Sequence, residues 1–154
     1  VLRFKNLVVL RTFSKWAGLA GLRVGYGSFP AWLMPTLWIT KQPYNVNVAD
    51  YQAAIASLNN LEELIGNVNK IRSERQRLFK TIKKIPYLKP YPSQSNFILC
   101  ALVEKEAAAL KNYLINKGIF IRTYNDARLQ NTIRISVGKP KDSDILLAAL
   151  EEYQ

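Results

Sequence analysis

The segment Thr12–Tyr26 limits what this chain can fold into more than any other, because it places a lysine between two apolar runs. The run Leu7–Leu10 just before it predicts a short buried strand, and residues 24–29 predict a second strand. Lys15 therefore lies on the loop between two strands, and Arg23 follows it eight residues later. An amine held on such a loop near a guanidinium group is suited to nucleophilic chemistry beside an anion.

The same segment carries groups that bind phosphate. The hydroxyls of Thr12 and Ser14 and the guanidinium group of Arg23 are donors that suit phosphate oxygens. Four glycines between positions 18 and 27 allow the backbone to approach a ligand closely. The segment lacks the spacing of a dinucleotide-binding loop or a Walker-type loop. An ordinary solvent-exposed lysine is the alternative interpretation of Lys15.

The composition removes several classes of catalytic site. The chain has no histidine and a single cysteine, Cys100. A disulfide framework, a Cys/His zinc site and a catalytic triad with an imidazole base are therefore excluded, and the sequence predicts no metal site. Because Cys100 lies within an apolar run, we expect it to be a small buried residue.

The net charge of +11 admits a second class of function, the binding of nucleic acid. Seven basic residues lie between Lys70 and Lys84, where only Glu74 opposes them. They share a predicted helix with an apolar stripe, so a solvated helix face is the simpler interpretation. We expect no nucleic acid partner, and a non-enzymatic, basic nucleic-acid-binding module is the alternative from another class.

The rest of the chain alternates between helical and strand patterns, which predicts an α/β fold. Helical periodicity covers residues 48–58, 61–85, 104–117 and 142–153, and strand patterns cover 95–102, 119–121 and 132–137. We interpret 1–60 as the remnant of a large domain, 61–85 as a long bridging helix and 86–154 as a small α/β domain. The first residues show neither an initiating methionine nor a signal-peptide pattern, so we expect a piece of a longer chain.

Five segments, in order along the chain, resemble one enzyme family: 12–26, 42–47, 92–99, 118–122 and 133–140. The family is the fold-type I (class I/II) aminotransferases that use pyridoxal 5'-phosphate, and the histidinol-phosphate aminotransferases are the most similar group within it. The resemblance implies the end of a large pyridoxal-phosphate transferase domain and a C-terminal small α/β domain, with the N-terminal part of the fold missing. Trp16 departs from the family, which usually has a small residue after the lysine.

The resemblance assigns roles to the residues around the lysine. Lys15 is implied to be the catalytic residue, which attaches to pyridoxal 5'-phosphate as a Schiff base and moves a proton at the substrate Cα. Thr12, Ser14 and Arg23 are implied to bind the phosphate group of the cofactor. In this family the residues that hold the cofactor ring lie upstream of the lysine, so we expect this chain alone to have little or no activity.

Four further residues match substrate-binding positions of the family. Arg134 corresponds to the arginine that binds the α-carboxylate of the amino acid, and Arg122 to the arginine that meets the substrate phosphate. Asn96 is either a substrate contact or a cap on its strand. Tyr44 lies on the loop that reaches the neighbouring subunit in dimers of this family, although a simple turn residue is an alternative.

The implied reaction transfers the amino group of L-histidinol phosphate to 2-oxoglutarate, giving glutamate, in histidine biosynthesis. The resemblance also implies a soluble, intracellular homodimer without a membrane partner, in the cytoplasm or, for a plant or alga, in the plastid stroma. Another fold-type I enzyme is the alternative within the class, either an aromatic amino acid aminotransferase or a related phosphoamino-acid decarboxylase.

Overall fold

The computed structural model describes residues 3–153, which fall into two compact units. One unit ends at Val68 and the other begins at Asn69. This boundary lies inside the segment 61–85 that the sequence predicts to connect two domains. Within the described residues, no helix combines the length and the apolar character needed to cross a membrane.

The first unit is built from a hairpin followed by helices. Its elements are β1 (Val9–Thr12), β2 (Gly25–Ser28), a 3₁₀ turn (Ala31–Leu33), α1 (Met34–Thr40) and α2 (Val48–Asn59). The two strands pair antiparallel, so the predicted strand–loop–strand arrangement around the lysine is confirmed. The predicted burial of the first strand is wrong: Leu10 is 72% exposed, because the described residues give this two-stranded sheet no covering layer.

Local sequence explains where the helices of the first unit begin. Pro35 lies in the first turn of α1, where its missing N–H removes no hydrogen bond. Asn47 caps α2, because its side-chain oxygen accepts a 2.9 Å hydrogen bond from the backbone N–H of Asp50. α2 ends at Asn59, one residue beyond the predicted range 48–58.

The long periodic stretch forms one continuous helix, α3 (Leu61–Ile82), of 22 residues. It ends three residues before the predicted limit of Ile85, in turns that lead to Pro86. The apolar stripe is fully buried only towards its C-terminal end, at Leu78 and Ile82.

Part of the basic surface of α3 serves packing within the second unit. Arg75 is buried and donates hydrogen bonds to the backbone oxygen of Ser95 and to the side chain of Gln94. Arg77 lies 2.8 Å from Glu74 and 2.7 Å from Asp144. The hydrogen bond from Arg77 holds the pKa of the Glu74 carboxyl below its usual range. Contacts within the second unit therefore account for the presence of Arg75 and Arg77 on this helix.

The second unit packs helices against a four-stranded antiparallel sheet. Its strands, in the spatial order β3-β4-β6-β5, are β3 (Leu88–Pro90), β4 (Phe97–Leu102), β5 (Arg122–Thr123) and β6 (Thr132–Ser136). The helices are the end of α3, α4 (Ala107–Asn116) and α5 (Pro140–Glu152). Alternate strand residues, among them Ile98, Cys100, Ile133 and Ile135, join the core with leucines of these helices. The other face of the sheet carries a mixture of apolar and polar side chains, among them Phe97, Leu99 and Arg134.

Several details of this unit differ from the sequence predictions, among them the start of α4, which lies at Ala107 rather than at residue 104. β5 begins at Arg122 rather than at Ile119, and Phe120 is 80% exposed. β3 was not predicted, because its residues lie among prolines that favour a connector. α5 begins at Pro140, and Asp142, inside its first turn, accepts a 3.4 Å hydrogen bond from the backbone N–H of Lys139. The prediction for Cys100 is confirmed, since it is fully buried and burial raises the pKa of its thiol to about 12.

Candidate functional site

The loop that carries Lys15 is fixed at the closed end of the β1–β2 hairpin. Thr12 pairs with Gly25, and the next residue, Phe13, donates its N–H to the backbone oxygen of Val24 at 3.1 Å. Phe13 and Val24 are both buried, so the base of the loop is anchored by packing as well as by hydrogen bonds. Lys15 lies in the following turn with its side chain exposed. The fold therefore presents this amine on an anchored loop.

Two hydroxyl groups flank the lysine turn and contact each other. The Thr12 hydroxyl donates to the Ser14 hydroxyl at 2.9 Å, and Thr12 Oγ1 accepts from the backbone N–H of Ser14 at 3.0 Å. This local turn brings both hydroxyls to the position directly before Lys15. A hydroxyl pair of this kind can rotate its protons towards an anion.

Arg23 closes the loop in an unusual backbone conformation. Its φ of 57° lies in the left-handed region, which is uncommon for a residue with a side chain. Its guanidinium group donates to the backbone oxygen of Ala20 at 3.1 Å, and within residues 3–153 it forms no ion pair with a carboxylate. Because Val24 pairs with Phe13, the backbone of Arg23 returns to the end of the hairpin where Thr12 lies. The guanidinium group of Arg23 therefore retains N–H donors that can bind an anion.

The bulky residue after the lysine is accommodated by packing. The Trp16 ring lies against the Phe13 ring, with the two centroids 5.1 Å apart and a tilt of 40°. Phe13 also packs against Tyr26, at 6.0 Å. Trp16, which replaces the small residue usual after the lysine, therefore adds a ring contact with Phe13 that helps to hold the loop.

We predict that Gly25→Ala destabilises the hairpin. A Cβ at this position would lie 2.7 Å from the backbone oxygen of Arg11 on the paired strand, so the two strands must move apart. We expect a loss of about 1–3 kcal/mol in the free energy of unfolding, measured by urea denaturation. Gly21→Ala is the matched control, because a Cβ there meets nothing within 4 Å. Equal losses for the two variants would contradict the prediction.

A second group of candidate residues lies on the sheet of the second unit. Arg122 of β5 is directly opposite Arg134 of β6, and Leu99 of β4 is opposite Arg134 on its other side. Directly paired residues share a face of the sheet. Both arginines therefore project from the face opposite to the one on which Ile133 and Ile135 enter the core.

Two like charges that face each other across strands destabilise a sheet unless an anion compensates them. The Nε of Arg134 is buried without a hydrogen-bond partner, and a buried donor of this kind calls for one. Within residues 3–153 no carboxylate pairs with Arg122 or Arg134. The acidic residue that follows Arg122 most closely, Asp126, is paired with Arg128 at 2.9 Å. The hydrogen bond from the Arg128 side chain lowers the pKa of the Asp126 carboxyl. The pair is therefore available to an anionic ligand.

The two remaining predicted residues lie apart from these groups. Asn96 is exposed directly before β4, and its backbone oxygen accepts from the N–H of Val137 at 2.9 Å, at the end of β6. Tyr44, between α1 and α2, is 97% exposed and has a φ of 58°. A left-handed backbone is uncommon for an aromatic residue, and the high exposure of Tyr44 shows that its side chain packs against little of its own unit.

The structure thus brings together Thr12, Ser14, Lys15 and Arg23 at the end of one hairpin. It places Arg122 and Arg134 on one face of a separate sheet. The sequence gives both arginines as candidates but does not reveal that they are opposite each other, since strand register depends on pairing. The sequence also gives no sign that aromatic side chains lie next to these arginines.

Comparisons with known proteins agree on one family. The family model "Aminotransferase class I and II" matches residues 3–150. A curated relative, histidinol-phosphate aminotransferase 1, chloroplastic, from Arabidopsis thaliana, is 48% identical over 154 residues. That alignment covers 99% of this chain and 37% of the relative, so the chain spans less than half of the length of the relative.

Solved structures show the same fold. The histidinol-phosphate aminotransferase from Sinorhizobium meliloti, in complex with pyridoxal-5'-phosphate, has a TM-score of 0.80 and 34% identity, over 96% of this chain and 41% of that one. The L-threonine-O-3-phosphate decarboxylase from Porphyromonas gingivalis has a TM-score of 0.85 and 26% identity, over 97% of this chain and 42% of that one. The predicted α/β fold, as part of a larger fold-type I architecture, is confirmed.

Proposed function

The chain belongs to the class I and II aminotransferase family, and we propose that the complete protein transfers the amino group of L-histidinol phosphate to 2-oxoglutarate. The proposal is supported by the 48% identity to the Arabidopsis enzyme, whose name states the same amino donor. It is also supported by the two groups of donors described above. Because this chain corresponds to 37% of that relative, we propose the activity for the complete protein and not for this chain alone.

The residues at the end of the hairpin fit pyridoxal 5'-phosphate. Two hydroxyls that are 2.9 Å apart, a backbone turn and a guanidinium group without a carboxylate partner are the donors that a phosphate dianion needs. We propose that Thr12, Ser14 and Arg23 hold the phosphate group of the cofactor and that Lys15 is its covalent attachment point. When bound, the cofactor withdraws electrons from the substrate Cα and carries the amino group between the two substrates.

Lys15 then has a second role, as the acid–base group. Its exposed Nζ, on an anchored turn, accepts the proton that leaves the substrate Cα and returns it later in the exchange. A lysine suits this role because its amine is both a nucleophile and a base when it is deprotonated. The hydroxyls of Thr12 and Ser14 keep the phosphate beside the turn, so that Nζ and the reacting atoms stay at a fixed separation.

The observation that carries the choice of substrate is the opposed pair of Arg122 and Arg134. Histidinol phosphate carries a phosphate group, and glutamate carries two carboxylates, so both amino donors need cations. We propose that Arg134 binds the α-carboxylate of the amino acid and that Arg122 meets the substrate phosphate. Asn96, exposed directly before β4, is a separate candidate for a substrate contact. Guanidinium groups can bind either kind of anion through two parallel hydrogen bonds.

A phosphoamino-acid decarboxylase is the second candidate. It is favoured by the structural similarity to the Porphyromonas decarboxylase, at a TM-score of 0.85. Such an enzyme also needs a phosphate-binding arginine, so the arginine pair alone does not separate the two. The 48% identity to the Arabidopsis aminotransferase, against 26% to the decarboxylase, supports transamination as the first choice.

The test uses this chain joined to the upstream part of the Arabidopsis relative, which we call the completed protein. We expect it to convert 2-oxoglutarate to glutamate with histidinol phosphate and much more slowly with phenylalanine. Release of carbon dioxide from threonine phosphate would support the decarboxylase, and faster turnover of phenylalanine would support an aromatic aminotransferase. The chain alone, assayed in parallel, should show little or no activity.

We also propose that the complete protein is a homodimer. The fully exposed Tyr44, on a loop with a left-handed backbone, supports this because its phenol group is free to contact another subunit. For a plant or alga we propose the plastid stroma, a choice supported by the name of the Arabidopsis relative, which describes that protein as chloroplastic, and otherwise we propose the cytoplasm.

A further inference from the structure

Both arginines of the opposed pair lie against aromatic rings. The guanidinium carbon of Arg134 is 5.1 Å from the centroid of the Phe97 ring, and that of Arg122 is 5.5 Å from the Tyr124 ring. Phe97 pairs with Ser136, two residues beyond Arg134 on β6, so its ring lies diagonally across the strands on the same face. Tyr124 follows Arg122 by two residues. Each cation therefore has its own ring, from Phe97 on the adjacent strand β4 for Arg134 and from Tyr124, just beyond β5, for Arg122.

Rings hold a guanidinium group differently from carboxylates. A carboxylate would use two of the N–H donors and cancel the charge, and a substrate anion would then have to displace it. A ring contacts the face of the guanidinium plane, attracts it through the cation–π interaction and leaves the N–H donors in the plane unused. The unpartnered Nε of Arg134 and the lack of a carboxylate partner within residues 3–153 agree with this arrangement.

We propose that Phe97 and Tyr124 are positioning residues, which orient Arg134 and Arg122 for substrate anions without neutralising them. This inference rests on the proposed function, because it needs the arginines to bind substrate. It goes beyond that function by assigning a role to two side chains that do not touch the reacting atoms. Its physical content is preorganisation: the ordering of each long arginine side chain is achieved before the substrate arrives.

The first test replaces Phe97 in the completed protein. Phe97→Leu keeps an apolar side chain but removes the ring face, whereas Phe97→Tyr keeps the ring. We expect Phe97→Leu to raise the KM for glutamate about 3- to 30-fold with kcat nearly unchanged, because a ground-state anion contact is weakened. Phe97→Tyr should restore the KM. Leu99→Val is the matched control, since Leu99 is directly opposite Arg134 but has no ring.

The second test repeats the design at Tyr124, which lies outside the strands and therefore tolerates substitution. Tyr124→Leu should raise the KM for histidinol phosphate, and Tyr124→Phe should leave it unchanged. Unfolding midpoints, measured for every variant, identify any general loss of structure. The inference is overturned if the leucine variants keep the KM of the unchanged protein. It is also overturned if Phe97→Tyr and Tyr124→Phe raise the KM as much as the leucine variants do. Failure of the unchanged completed protein to transaminate either substrate would instead overturn the proposed function.

Discussion

Replacing Lys15 with alanine in the completed protein is expected to reduce transamination by at least about a thousandfold, because both the covalent attachment point and the proton-transfer group are lost. The fold gives no second amine in the same turn to substitute for it. The expected defect is in kcat, since the side chains that bind substrate anions are unchanged. Single-turnover assays with histidinol phosphate measure it directly.

Two variants make this result specific. Lys15→Arg keeps a positive charge but cannot act as a neutral nucleophile, so we expect it to be as inactive as the alanine variant. Lys5→Ala removes another exposed lysine of the same unit and should keep full activity. An active Lys15→Arg variant would show that only the charge at this position matters, contrary to the proposed role.

Arg134→Leu is expected to have the second largest effect. Loss of one partner of a buried, charge-assisted contact costs about 2–4 kcal/mol, which corresponds to a loss of roughly 30- to 1,000-fold in kcat/KM. Arg134→Lys should recover only part of this loss, because an ammonium group cannot make two parallel hydrogen bonds to one anion. Steady-state kinetics with glutamate, the substrate that carries an α-carboxylate, are the measurement.

The matched control for Arg134 is Arg128→Leu. Arg128 is an exposed arginine of the same unit whose ion pair, among residues 3–153, is with the neighbouring Asp126, so its loss should change kcat/KM little. Similar losses in the Arg134 and Arg128 variants would contradict a specific anion contact and would indicate a general effect of charge. The unfolding midpoint of each variant should accompany the kinetics, because Arg134 lies in a central strand.

The sequence predicts the position of the lysine well, because that prediction depends on local features. Apolar runs on both sides of residues 13–24 define a strand, a loop and a strand, and the structure confirms the hairpin. Helix boundaries at Pro35, Asn47 and Asn59 follow from capping and from proline geometry. Local signals of this kind act over only a few residues, so one sequence is enough to show them.

The parts that the sequence did not predict depend on long-range pairing. β5 begins at Arg122, beyond the apolar run 119–121, because its position is fixed by its pairing with β6. That register is also what places Arg122 opposite Arg134. The exposure of Leu10 likewise could not be foreseen, because an apolar strand is buried only where another layer covers it. The rings of Phe97 and Tyr124 became relevant only once the arginines were located.

The attachment of pyridoxal 5'-phosphate to Lys15 is the central claim, and one measurement tests it most directly. The completed protein is incubated with the cofactor, reduced with borohydride and digested, and the modified lysine is located by mass spectrometry. We predict that the cofactor mass is found on the peptide that contains Lys15 and on no other. A modification at another lysine, or none in a folded and cofactor-saturated protein, would contradict the proposed site.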